Sequence, residues 1–413
     1  VHLHPTLING MLCSRKAKNL TLELFGDQVL FLPYTDPGYT LFKKLEAEII
    51  SYRQKYQSDP KIIFLENHGV FVGADTTGEI RDIYRDIIAT IEKSVQRLSD
   101  IVQLPYNPFM HKILPALRMI LSDGKPKSIR CRHNTLISKY YANQQEFLKI
   151  SLPLIPDTIV YCKTRYLFIE HTSTAESTLD SVRNQLSRFK DKYGYLPKVI
   201  VIKNMGVIAI DESSQAAEAV LDVYEDLIGI SHYALQCGGI KFLTPDQVAF
   251  IDQWEVENYR RKIARTGTGE NKIANKIAIV TGGAQGFGAG IAESLFRMNL
   301  NVFVADLNEE AGRAFVSRLS EIKSPGKVIF IKTDVSDSAS VQELVTSTVN
   351  EFGGLDIMIS NAGVLKAGGL DEMEPELFSM TTKINYNGYY HCARYAAEVM
   401  REQNKEKPEY FTD

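Results

Sequence analysis

Apolar residues along this chain follow two periods. Short β-branched runs that end in glycine or a polar residue alternate with stretches where apolar residues return every three or four positions. The sharpest case is Lys276 to Gly288, KIAIVTGGAQGFG. Ile277, Ala278, Ile279 and Val280 form an apolar run that stops at glycines, and Ile291, Ala292, Leu295 and Phe296 then recur at helical spacing. This predicts strand, tight turn and helix N-terminus. Further strands are expected at Asn301–Ala305, Val328–Lys332 and Leu355–Ser360, with helical stretches between them. That alternation predicts an α/β region with a doubly wound, Rossmann-type parallel sheet.

The earlier part of the chain has its own rhythm. A strand is expected at Ile62–Leu65, and an amphipathic helix from Ile80 to Leu98, with Ile83, Ile87, Ile91 and Val95 on one face. Leu104-Pro105-Tyr106-Asn107-Pro108 breaks the pattern. An internal comparison then finds the pattern twice. PKIIFLENHGV from Pro60 and PKVIVIKNMGV from Pro197 align without a gap, 137 residues apart, and VLFLPYT from Val29 and YLFIEHT from Tyr166 align at the same offset. Downstream, Tyr84-Arg85-Asp86 pairs with Tyr224-Glu225-Asp226 if three residues are inserted. The expected domains are 1–105, a degenerate repeat of it at 106–263, a hydrophilic linker at 264–272, and the doubly wound region at 273–413. Trp254 falls on a polar helix before the linker, and Arg260-Arg261-Lys262 reads as a solvated face of it.

Composition narrows the function classes. The 413 residues are 44% apolar and 23% charged, as in soluble globular proteins. A formal net charge of −3 gives no electrostatic reason to expect nucleic acid or an anionic membrane as partner. No apolar run approaches the ~20 residues of a membrane span. Cys13, Cys131, Cys162, Cys237 and Cys392 are odd in number and scattered, which predicts reduced thiols and a cytoplasmic location.

Two stretches carry candidate chemistry. In the first, the glycines of the Lys276–Gly288 turn let the backbone approach a pyrophosphate, and the first helical turn offers free N–H groups to it. Asp306 lies 18 positions after Gly288, a spacing that suits the hydroxyls of an adenosine ribose. The turn and three later motifs, Thr333-Asp334-Val335, Asn361-Ala362-Gly363 and INYNG around Asn385, resemble in order the motifs of the short-chain dehydrogenases/reductases. The resemblance implies that Gly282, Gly286, Phe287 and Gly288 line the pyrophosphate turn. It implies that Asp306 and Leu307 border the ribose, that Asp334 and Val335 contact adenine, and that Asn361, Ala362 and Gly363 lie against the cofactor. Asn385 matches the family's active-site asparagine, which holds a water in a proton relay. NAD is expected over NADP, because a carboxylate at Asp306 repels a 2′-phosphate and Ala284 and Gln285 bring no cation to the turn.

In the second stretch, His2 and His4 alternate along a short extended segment, so they can share a face. His68 follows in a turn between apolar strands. Three imidazoles with an open position describe a catalytic divalent metal site, best suited to zinc. HLHPT followed by ENHGVFVGAD resembles the later part of the class II aldolase/adducin fold, which implies that His2, His4 and His68 are zinc ligands. That family's catalytic glutamate and phosphate loop have no match in this sequence. The second copy has Met205 at the place of His68 and no histidine pair at the spacing of His2 and His4, so it is expected to keep the fold without the metal. His133 and His171 read as ordinary histidines of that copy.

Taken together, the chain resembles the bifunctional rhamnulose-1-phosphate aldolase/short-chain dehydrogenase family, as a fragment of a longer protein. The resemblance implies zinc-dependent cleavage of a sugar phosphate, best matched by rhamnulose 1-phosphate, to dihydroxyacetone phosphate and lactaldehyde. It implies NAD-dependent oxidation or reduction of that aldehyde. The implied partners are these small molecules and further copies of the chain in a homo-oligomer. The family's dehydrogenase Tyr-x-x-x-Lys is not found, since Tyr410 has no lysine four residues on. Three other readings stay open: an aldolase for a different sugar phosphate, an oxidoreductase whose aldolase-like part is a scaffold, and an adducin-like interaction protein.

Overall fold

The computed structural model describes residues 1–122, 125–171, 173–253, 273–369 and 371–406. Trp254, the Arg260-Arg261-Lys262 run, the linker expected at 264–272 and Tyr410 lie outside these residues. Three four-stranded sheets account for the described strands. The first contains β1 (His2–Leu3), β2 (Leu30–Leu32), β3 (Ile62–Leu65) and β4 (Gly69–Val72), in the order β1-β4-β3-β2. The second contains β5 (Ser128–Arg132), β6 (Leu167–Ile169), β7 (Val199–Ile202) and β8 (Gly206–Asp211), in the order β5-β8-β7-β6.

The two orders are the same, and so are the directions. β1 and β4 are antiparallel, as are β4 and β3, while β3 and β2 are parallel; β5, β8, β7 and β6 repeat this. Even the hairpin turns match. Asn67 (φ 52°) and Asn204 (φ 56°) both take the left-handed conformation that asparagine tolerates better than most residues. The register carries the match further than the sequence did. Phe71 faces His2 and Ile208 faces Cys131. Cys131 therefore stands where His2 does, and His133 where His4 does, so the second copy does keep one of the three imidazoles. His133 is buried and bonded to the Pro105 carbonyl (2.8 Å) and the Tyr141 hydroxyl (2.7 Å).

Two further expectations change. Thr76 and Ser213 cap the helices Thr77–Glu92 and Ser214–Gln236 at the unchanged offset of 137, so no three-residue insertion precedes them. The first helix also stops at Glu92 rather than Leu98. Beyond it the backbone turns to the second copy: Gln96 N–H donates to the Gln236 side chain (2.7 Å) and Leu98 N–H to the Tyr233 hydroxyl (3.1 Å).

The third sheet is wholly parallel: β9 (Ile277–Thr281), β10 (Asn301–Asp306), β11 (Val328–Lys332) and β12 (Ile357–Ser360), ordered β11-β10-β9-β12. Such a sheet must be covered on both faces. On one face Ala278, Val280, Val302 and Val304 pack under the helices Gly286–Arg297 and Glu309–Ser320, through Ala292, Phe296 and Phe315. On the other, Ile277, Ile279, Phe303 and Ala305 meet Leu344, Val349 and Phe352 of the helix Ser338–Phe352. That second cluster does not end there. It continues through Ile113, Leu114 and Leu117 of the helix Met110–Leu121 into Ile200, Ile202, Ile208 and Ile210 of the second copy. The degenerate copy thus packs both on the first copy and under the dinucleotide-type sheet.

Ion pairs cross this joint, among them Arg130–Glu351, Arg183–Glu406 and, the most buried of the three, Arg118–Asp356. Arg118, on the helix Met110–Leu121, is fully buried and donates to both oxygens of Asp356, at 2.9 and 2.8 Å. Its Nε donates to the Lys127 carbonyl (2.7 Å). Asp356 also accepts from Ile277 N–H (2.8 Å) and the Gln403 amide (3.1 Å). Removing one partner leaves the other charged and buried, which costs about 3–5 kcal/mol, whereas replacing both with apolar groups is often neutral. Arg118→Met should therefore lower stability in chemical denaturation by about that amount, and Arg118→Met with Asp356→Leu should recover most of it. Equal losses in the single and double variants would show that the pair is not what holds the joint.

Candidate functional site

The histidine site is built by β1 lying beside the β3–β4 hairpin. His2 is on β1, His4 just beyond it, and His68 in the turn that Asn67 makes possible. Ring centroids are 4.7 Å apart for His2–His4, 5.1 Å for His2–His68 and 5.3 Å for His4–His68. One nitrogen from each lies within 4.8 Å of the others. Gly69 makes this approach possible, because a side chain there would collide with the His4 ring and the Leu3 carbonyl.

The outer nitrogens are already committed. His2 Nδ1 faces the Val70 carbonyl at 3.1 Å, and His4 Nδ1 faces the Asp157 carboxylate at 2.6 Å. Both partners can only accept at ordinary pH, so both Nδ1 atoms carry the proton. The two Nε2 atoms, 3.0 Å apart, then present lone pairs to each other unless a proton or cation lies between them. Burial, with the nearby His4 and His2, lowers the His68 pKa to about 4, and burial also lowers that of His2. These imidazoles are neutral at pH 7, which fits a metal ion better than a shared proton.

Several polar residues around this site come from the second copy. Asp157 lies at the start of the helix Pro156–Cys162. Asp226, on the helix Ser214–Gln236, accepts from the Thr6 hydroxyl, and burial raises its pKa to about 6. Lys241 pairs with Glu66 (2.6 Å), and Asn67 donates to the carbonyls of Leu154 (2.9 Å) and Lys241 (2.7 Å). Sequence reasoning passed over Asp157, because an acidic residue after proline at a helix start is ordinary capping chemistry.

The second site sits at the carboxyl edge of β9–β12. Gly282 (φ +62°) and Gly286 (φ +55°) need their positive φ, and a Cβ on Gly288 would collide with the Gly282 carbonyl. Around Gly286 there is open space. Gln285 precedes the helix Gly286–Arg297 without capping it, whereas Asn308 and Asp337 cap the two helices that follow. The first-turn N–H groups are thus left for an anion. Asn361 locks the turn by donating to the carbonyls of Thr281 and Gly282, both at 3.1 Å. Buried Thr281, which the sequence reading did not single out, accepts in return from Asn361 and Ala362 N–H.

The other expected cofactor residues are distributed along this edge. Asp306 accepts from Ala284 N–H on one oxygen and Asn308 N–H on the other, both at 3.0 Å. Asp334 accepts from the Ser336 backbone and hydroxyl, and Val335 is buried against Val341 and Cys392. Phe287 and Leu307 are 89% and 62% exposed beside the turn. Asn385 lies in a π-helical turn, Lys383–Asn387, with Gly363 close by. Its amide accepts from Val364 N–H (2.9 Å) and donates to the Val364 carbonyl (2.8 Å), so it pins the loop after β12. Among the described residues no helix is long and apolar enough to cross a membrane.

Comparison with known proteins agrees with this second site. Residues 276–407 match the short chain dehydrogenase family. An uncharacterized oxidoreductase of Thermotoga maritima is 39% identical over 129 residues, covering 31% of this chain and 49% of that protein. Tropinone reductase-like 1 of Erythroxylum coca is 36% identical over 138 residues, covering 32% of this chain and 49% of that protein. The uncharacterized oxidoreductase YuxG of Bacillus subtilis is 22% identical over 438 residues, and covers 98% of this chain. The chain spans 62% of YuxG's length and about half the length of the other two. Its match to YuxG includes the two repeated sheets as well as the parallel one. The glycine turn, the parallel sheet and the matched relatives agree in likening residues 276–407 to the short chain dehydrogenase family.

Proposed function

We propose that this chain belongs to a two-site enzyme of sugar-phosphate breakdown. One site is a zinc centre on His2, His4 and His68 that cleaves a ketose 1-phosphate by retro-aldol chemistry; rhamnulose 1-phosphate is the substrate favoured by the sequence resemblance. The other is the short-chain dehydrogenase domain, which uses NAD to oxidise or reduce the aldehyde released. The observation that carries the reading is the facing pair of Nε2 lone pairs on His2 and His4, with neutral His68 beside them, in one chain with a dehydrogenase domain.

A divalent ion bound there supplies Lewis acidity toward a carbonyl oxygen. The chain's own part is to hold three imidazoles together at one point. Val70 and Asp157 do this by taking the Nδ1 protons, and Gly69 by leaving room for the rings. At the other site NAD supplies the hydride acceptor or donor. The uncapped helix start and the space at Gly286 suit its pyrophosphate. Asp306 keeps lone pairs for ribose hydroxyls, and its charge opposes a 2′-phosphate. The exposed apolar faces of Phe287 and Leu307 suit cover by the cofactor. A reactive aldehyde made and consumed within one assembly profits from a high effective concentration. Five buried free thiols support a cytoplasmic setting.

The zinc reading predicts about one zinc per chain by elemental analysis, lost in His68→Ala while the circular dichroism spectrum is kept. Well-folded protein that takes up no zinc when supplied would leave the first copy a scaffold. Acid should act on the metal-free chain with a definite sign. Since folding holds His68 near 4, below its ordinary 6.5, its contribution to stability is present above about pH 6.5 and is lost as pH falls toward 4. His68→Asn, which does not titrate, should flatten that part of the stability–pH curve. For the second site, Asp306→Ala should weaken NAD binding by calorimetry and shrink its preference over NADP by about tenfold, the effect of roughly 1.4 kcal/mol; an unchanged ratio counts against Asp306 as the selector.

A further inference from the structure

The second copy has lost two of its three ligand positions, yet it surrounds the histidines of the first. Its Cys131 and Met205 stand at the places of His2 and His68. Cys131 is buried, with its pKa raised to about 12 by that burial, so it is no thiolate ligand. What the copy does carry is a set of polar contacts into the two segments that bear His4 and His68. Asp226 accepts from Thr6, two residues after His4. The carbonyls of Leu154 and Lys241 receive Asn67, the residue before His68. Asp157 reaches His4 itself, across 153 residues of sequence, at 2.6 Å.

That last contact decides the chemistry of His4. A neutral imidazole carries its one proton on either nitrogen, and only the other nitrogen can bind a metal. Backbone geometry provides the acceptor for His2, through Val70. At His4 Nδ1 the acceptor is instead the Asp157 carboxylate. We propose that Asp157, supplied by the degenerate copy, is the positioning residue of the zinc site, holding His4 as the Nδ1–H tautomer so that its Nε2, beside that of His2, would be free to ligate the ion together with His68. A carboxylate behind a ligating histidine also raises the ligand's basicity and fixes the ring plane. The repeat thus serves as the outer shell of a metal centre whose inner shell it no longer has. This rests on the zinc reading above.

The test compares zinc binding to the full chain, Asp157→Ala and Asp157→Asn, by competition with a chromophoric chelator. Removing the outer-shell carboxylate should weaken zinc about 10–100-fold. Asp157→Asn keeps an oxygen acceptor for the Nδ1 proton and should recover most of that loss. A merely structural role is separated by two readouts. The denaturation midpoint of the metal-free chain should fall only slightly in Asp157→Ala, far less than zinc binding weakens, since Asp157 is partly exposed. Long-range proton–nitrogen NMR should show His4 moving from the Nδ1–H form to a mixture. Wild-type chain that binds zinc no more than threefold tighter than folded Asp157→Ala overturns the role of Asp157 and leaves the zinc site standing. Wild-type chain that binds no zinc overturns both.

Discussion

A guanidinium with no access to water must have every donor placed, and Arg118 is such a group. Its bidentate bond to Asp356 joins a helix of the second copy to the start of β12, and Asp356 in turn holds the first residue of β9. The strand that carries the glycine turn is therefore set in position partly by a residue over 150 positions upstream. Apolar packing supplies most of the joint's energy, but it is not directional. This ion pair, together with Arg130–Glu351 and Arg183–Glu406, supplies the direction between the repeated α/β region and the dinucleotide-type sheet.

The two sites follow from different kinds of constraint. The glycine turn is a local solution: positive φ, close packing of Gly288 on Gly282, and a helix start left uncapped. All of its parts lie within a dozen residues, with Asn361 as the one distant lock. The histidine cluster is a tertiary solution. It needs a strand edge, a hairpin turn and polar residues of another repeat to meet at one point.

That difference explains what could be read from the sequence. The parallel sheet was legible because glycine spacing, strand period and Asp306 are set by local geometry. The repeat was legible because the Pro-Lys entry and the Asn-x-Gly-Val hairpin demand particular residues. Its details were not. A shift of three residues on a helix lands on nearly the same face, so Tyr84 matched Tyr224 by pattern although the caps place Ile87 there. The equivalence of His133 to His4 was missed because the strand before it is offset by 129 residues rather than 137, and only the register reveals that. Asp157 had no local signal at all, since its meaning lies in a partner 153 residues away.

The core shared by the second copy and the parallel sheet has a thermodynamic consequence. Ile113, Leu117, Ile202 and Ile279 belong to one apolar cluster, so neither body can open that face without exposing the other's. The two halves then share a cooperative unfolding transition rather than melting as beads on a string. A nucleotide bound at the glycine turn stabilises that transition by mass action. Through the shared cluster, that stabilisation extends to the second copy, whose Asp157 and Leu154 contact the segments that bear His4 and His68.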